Sequence, residues 1–396
     1  MKKGFKYILY ILTAISVSAC KTPYTPAPTT TVTNYLVVEG LINISDSTYI
    51  NLSRTVAVSA ATTVKPELKA TVSIENNQGG SYPLKELGNG VYAAAPLNLS
   101  AANQYRLRIK TANGNSYVSD FAATAVSPPI DSITWKATST ALNIYANTHD
   151  PNNTTRYYRW DFTEEWEFHT NWNSQEISNG VQIINRLPGQ QIYFCYTGDA
   201  SNNVMLGTSI QLSNDVISQA LINTIPSSSE KIGLEYSIFV KQYALTKDAY
   251  DYWTLLKKNT EQLGSIFDAQ PSATIGNIHG LTNPAEVVIG YIGAGTITTN
   301  RIFIHKNQLP NWLTTPFYPI CDADSLDCCP PCTGCGVPTT CEVVNYLCVG
   351  FQGPLTLQIP IIPIVHGGVA IGTLAAPPKC VDCTLRGKTA PPPYWK

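Results

Sequence analysis

Thiols are the side chains with the most obvious chemistry in this chain, which holds 11 cysteines. Cys20 stands apart from the rest. Lys2, Lys3 and Lys6 form a basic start, Tyr7–Val17 is apolar, and the small residues Ser18 and Ala19 lead directly into Cys20. The apolar segment is well short of the roughly 20 residues that a membrane-spanning helix needs. Small residues admit a signal peptidase, and a cysteine directly after the cut offers a thiol for acylation. This order resembles a bacterial lipobox. Residues 1–19 are therefore expected to be a lipoprotein signal peptide, with lipid on Cys20 anchoring the protein to the outer-membrane bilayer. No acidic run follows Cys20, so the leaflet stays open.

Setting Cys20 aside leaves ten cysteines: Cys195, Cys321, Cys328, Cys329, Cys332, Cys335, Cys341, Cys348, Cys380 and Cys383. The overlapping Cys-x-x-Cys pairs 329/332 and 332/335, together with 380/383, would suit a tetrahedral zinc site in a cytosolic protein. Export favours disulfides instead, because thiols oxidise outside the inner membrane. Pairing is not readable from sequence. Asp322, Asp324 and Asp327 lack the glycine and terminal glutamate of a calcium loop and read as solvated carboxylates. The five histidines, His149, His169, His279, His305 and His366, have no ligand-spaced partner. No metal and no cofactor is expected.

Glu164, Glu165 and Glu167 could be taken for a glycosidase pair. That chemistry needs two carboxylates facing each other across a cleft, roughly 5–9 Å apart. Neighbours on one strand point to opposite faces, so no catalytic residue is assigned and the protein is read as a non-enzyme. Tyr157–Trp172 is rich in rings. Trp160, Trp166 and Trp172 could stack on sugar faces, but strands prefer aromatics, which favours a core role.

The elements that would position these groups are mostly strands. The chain is 44% hydrophobic and only 13% charged, with 22 Tyr and 7 Trp, a composition of exported β-rich proteins. A net charge of −1 argues against nucleic acid as a partner. After a Thr/Pro tether over 20–34, Tyr35–Ile42 and Thr48–Ser53 read as strands. Ala70, Val72 and Ile74 alternate with polar residues. Tyr105–Lys110, Asn113-Gly114 and Tyr117-Val118 read as a hairpin. Strands at this spacing predict an immunoglobulin-like β-sandwich over 35–126. Arg106, Arg108 and Lys110 form the solvated face of one strand. Ser127-Pro128-Pro129 marks a boundary, because consecutive prolines cannot join a sheet interior. A larger β-rich domain is expected over 127–396, with a Cys-rich insertion at 321–348. The one convincing helix is expected at about 246–263, capped by Thr246 and carrying Asp248 and Asp251 in its first turn.

Several stretches together resemble the domain-of-unknown-function family 4249, lipoproteins of Bacteroidetes. They are Tyr35–Ile42, Pro129–Ser132, Tyr157-Tyr158-Arg159-Trp160, Gln242–Leu245, Tyr250-Asp251-Tyr252-Trp253, Gly264–Asp268, Gly276-Asn277-Ile278, Cys380–Gly387 and Pro393-Tyr394-Trp395. The cysteines between 328 and 335 look like an addition to the family pattern. Members often occur beside TonB-dependent outer-membrane transporters. The resemblance thus implies an accessory role, in nutrient capture or transporter assembly, with a TonB-dependent transporter as partner. The alternative is a free-standing glycan-binding or structural envelope lipoprotein. The family has no active site to carry over.

Overall fold

The computed structural model describes residues 34–56, 64–178, 183–261, 276–327, 358–366 and 369–395. The leader, Cys20, the tether up to residue 33, and Cys328, Cys329, Cys332, Cys335, Cys341 and Cys348 lie outside these residues. The protein is mainly β, as its alternating pattern requires.

The N-terminal strands form the expected hairpins, but the sheet curls shut. Gln104–Lys110 pairs with Thr71–Asn76, and the ladder runs on through Ser81–Gly88, Val91–Ala94, Thr48–Arg54, Leu36–Asn43 and Gly293–Gly295. Ala122–Ala125 then pairs with both Gly293–Gly295 and Gln104–Lys110 and closes the ring. The sheet anticipated within 35–126 therefore draws in three late segments. Ile278–Gly280 adds to Ser116–Ser119, while Val288-Ile289 and Gly293–Gly295 run parallel to Leu36–Asn43. Alternate residues such as Leu36, Val38, Val72, Ile74, Leu107 and Ile109 fill the interior. Asn277 acts as a side-chain rung: its amide donates to the Ile292 carbonyl and accepts from the Ile292 N–H, both at 2.9 Å. Of the basic stripe, Arg106 and Arg108 both pair with Glu75 on the neighbouring strand.

The second unit is two facing sheets. One holds Ile130–Ala137, Ala141–Asp150 and Asp215–Pro226; the other is built on Tyr157–His169, flanked by Phe194–Ala200, Met205–Thr208, Glu235–Leu245 and Ile297–His305. Tyr158, Trp160, Phe162, Trp166 and Phe168 point between the sheets and meet Leu142, Ile144 and Ile225. The helix runs Lys247–Glu261, with the Thr246 hydroxyl accepting the Ala249 N–H at 3.3 Å. The remainder of the expected helix, to 263, falls outside the described residues. No helix among the described residues is long and apolar enough to cross a membrane.

The boundary prolines are locked by one buried amide. Gln242 is fully buried; its Nε2 donates to the Pro128 carbonyl at 2.9 Å and the Thr148 hydroxyl at 3.1 Å, while its Oε1 accepts from Trp160 Nε1 at 2.9 Å. Gln242→Leu strands these groups in a dry interior. It is expected to cost about 2–3 kcal/mol in chemical denaturation.

Asp150 holds the following loop. It accepts from Thr154 Oγ1 at 2.7 Å and from the amides of Asn152, Thr154 and Thr155 at 2.8–2.9 Å. Burial alone would raise its pKa, but these donors prevail and hold it at about 2, below the ordinary 3.8. A depressed carboxyl pKa stabilises the fold above the ordinary value, and this stability is lost as pH falls toward the folded one. Acid titration from pH 4 to 2 is expected to remove roughly 2 kcal/mol through this group. Asp150→Asn is expected to flatten that part of the profile.

Candidate functional site

Alternation along Tyr157–His169 sends even-numbered residues into the core and odd-numbered residues to the sheet's other face. The three glutamates accordingly split. Glu164 is buried between the sheets, where it pairs with Lys231 and accepts from Tyr236 at 2.6 Å and Asn223 at 3.1 Å. Glu165 turns the other way and meets Arg301 at 2.9 Å and the Tyr394 hydroxyl. Glu167, also on that face, accepts from the Tyr196 hydroxyl at 3.3 Å. The structure therefore does not bring Glu164 and Glu165 together across a cleft.

The aromatic candidates divide in a similar way. Trp160 and Trp166 are 1% and 8% exposed, so neither ring offers a face to a sugar. Trp172 is half-buried and donates to the Cys321 carbonyl at 2.9 Å. Trp160 and Trp166 fill the interior because Trp occupies the strand's inward positions, which leaves no pair of exposed rings for stacking.

Among the described residues two disulfides form, Cys195–Cys383 and Cys321–Cys380. They tie the last described segment to the second unit. Among the described residues no group of three or more His, Cys, Asp and Glu side chains gathers.

Two of the clefts among the described residues involve outward residues of this strand, Glu165 in one and Arg159 and Asp161 in the other. The larger, about 750 Å³, lies under the C-terminal tail. Its main charges are already matched: Glu165 with Arg301 and Tyr394, and Arg386 with both oxygens of Glu230. The second, about 560 Å³, lies where the ring, the five-stranded sheet and the helix meet. There Arg159 pairs with Asp161 at 3.6 Å, while Lys241 makes no ion pair among the described residues.

Arg159 is the centre of that second cleft. The ladder sets it opposite Tyr243, and the helix brings Trp253 over it. Its guanidinium carbon sits 4.1 Å from the Tyr243 ring centre and 4.4 Å from that of Trp253. Each ring face attracts the cation, and together they fix its plane. Its Nε is buried without a hydrogen-bond partner, and its Nη2 forms an ion pair with Asp161 Oδ2 at 3.6 Å. Lys241 lies opposite Asp161 in the ladder and makes no ion pair among the described residues. Tyr252 packs on Tyr291 at 5.3 Å beside them. Burial, and then the Asp161 charge, pushes the Tyr243 phenol well up. Burial, and then Glu39, raises that of Tyr252. Both phenols remain neutral donors throughout the physiological range.

Nothing in the sequence singles out Arg159 as a site residue. The available signal is convergence: Val37–Leu41, Arg159, Tyr243, Tyr252 and Trp253 come from four of the stretches that carry the family resemblance, and all line this cleft.

No curated protein matches the chain. A family model described as Domain of unknown function (DUF4249) matches residues 21–301. That span takes in the closed ring, the helix and every residue of the Arg159 cleft, and with it the chain belongs to the DUF4249 family.

Proposed function

We propose that the protein is a lipid-anchored, non-catalytic accessory protein of the outer membrane that binds a ligand in the Arg159 cleft and works beside a TonB-dependent transporter. The observation that carries the binding role is the guanidinium, orientated between the Tyr243 and Trp253 rings, in a cleft between two β units and a helix. Ligand pockets favour such junctions and place few polar groups among many apolar ones. Anchoring rests on the run from Lys2 to Cys20, and the transporter partner on the family resemblance. The N-terminal unit, read as an immunoglobulin-like sandwich whose edges have met, acts as a spacer that holds the cleft off the bilayer.

Cys20→Ser is expected to shift the protein from the envelope-lipid fraction to the soluble one, since it removes the thiol that would carry the lipid. Tagged wild-type protein, crosslinked in intact cells, is expected to carry a β-barrel transporter through purification. An unchanged distribution for Cys20→Ser would overturn the anchor, and a clean monomer after crosslinking would overturn the partner.

A further inference from the structure

The charges around the Arg159 cleft narrow the class of ligand. Arg159 and Lys241 supply two positive charges, and Asp161 and Glu39 two negative ones. Arg159 pairs with Asp161 at 3.6 Å, Lys241 makes no ion pair among the described residues, and Glu39 sits exposed at the rim. A doubly charged phosphate would bring its second charge against Asp161. A monoanion fits the balance better, and a planar one matches the fork of a guanidinium whose plane is already fixed by two rings. Besides the polar Asn43, Ser47 and Asn51 and two glycines, the rest of the lining is apolar or aromatic, including Tyr252, Leu256, Ile289 and Ile297. The apolar and aromatic part of that wall suits a ring or branched hydrocarbon body.

We propose that this cleft recognises a monoanionic carboxylate carried on an aromatic or apolar body, with Arg159 gripping the carboxylate edge-on and Lys241 adding charge. The inference rests on the binding role proposed above for the same cleft. Arg159 is the specificity residue. Tyr243 and Trp253 are positioning residues: they hold the guanidinium so that little side-chain freedom is lost on binding.

The test uses the full-length chain purified in detergent at pH 7, with phenylacetate, its neutral analogue phenylacetamide, and inorganic phosphate, each titrated by calorimetry. Phenylacetate is expected to saturate one site, phenylacetamide to bind at least about tenfold more weakly, and phosphate not to displace the acid. Arg159→Lys keeps the charge and removes the fork, and is expected to weaken phenylacetate about tenfold. Lys241→Gln, outside the aromatic stack, is expected to weaken it about threefold and serves if the Arg159 variant misfolds. Equal binding of acid and amide, no saturation by about 10 mM, displacement by phosphate, or unaltered affinity in both variants would each overturn the assignment. If the transporter still co-purifies while phenylacetate fails to bind, the ligand class falls and the accessory role stands. If phenylacetate binds tightly and no transporter co-purifies, the ligand class stands and the accessory role falls.

Discussion

Removing the Cys195–Cys383 bridge by Cys195→Ala with Cys383→Ala is expected to lower the unfolding free energy by about 4–5 kcal/mol. The two residues are 188 apart in sequence, so the crosslink forbids a very large set of unfolded conformations. The effect is also local. Cys195 sits opposite Phe168 in the ladder, and both cysteines are fully buried. The bridge delivers Arg386 to Glu230, with its guanidinium over the Phe168 and Phe317 rings. It also delivers Lys388 to Tyr196, where the backbones exchange two hydrogen bonds at 2.8 and 2.9 Å. Cys321–Cys380 spans 59 residues within the larger loop, and its loss is expected to cost about 1 kcal/mol less. The check is denaturant unfolding followed by Trp fluorescence, for each double variant and for wild type with and without reductant. If wild type unfolds identically in reductant, with both bonds shown to be open, the crosslinks do not hold the tail as described.

The second large effect belongs to a glycine. Gly290 has φ +135, a conformation that side-chain-bearing residues rarely adopt. A Cβ there would stand 2.0 Å from the Val38 carbonyl oxygen. The obstructing atoms are all backbone, and Val38 is pinned in its ladder to Thr48–Arg54. Gly290 lies between the two short parallel pairings, Val37↔Ile289 and Leu41↔Gly293, which join the late segments to the ring. Gly290→Ala is expected to cost about 4 kcal/mol or more, because overpacking and left-handed strain add. Gly293→Ala is the matched control. A Cβ there meets only Leu41 Cδ1, at 3.4 Å, and the change is expected to stay within about 1 kcal/mol. Equal stability of the two variants would refute the close approach.

Local pattern carried much of this architecture. The alternation in Tyr157–His169 predicts which rings and glutamates share a face, and the helix is announced by its cap and its change of period. Ser127-Pro128-Pro129 lies between Ala122–Ala125 of the ring and Ile130–Ala137 of the next sheet, and its hydrogen-bond partner Gln242 is over a hundred residues away. What escaped the sequence is non-local. Gly293-Ala294-Gly295 has no hydrophobic period, yet it completes the ring by parallel pairing with strands near the start of the chain. The site was hidden for the same reason. Arg159 is an ordinary outward residue until the register sets Tyr243 opposite it and the helix lays Trp253 on top. Trp160 and Trp166 on the same strand are more conspicuous, and their inward parity commits them to the interior, the role that strand preference favours.

The closing of the ring by residues 288–295 also sets a timetable. As the chain emerges from its N-terminus, the first unit must wait with unpaired edges until nearly the whole second unit has followed. A nascent chain halted near residue 280 is therefore expected to leave the Leu36–Asn43 and Ala122–Ala125 edges open to proteases.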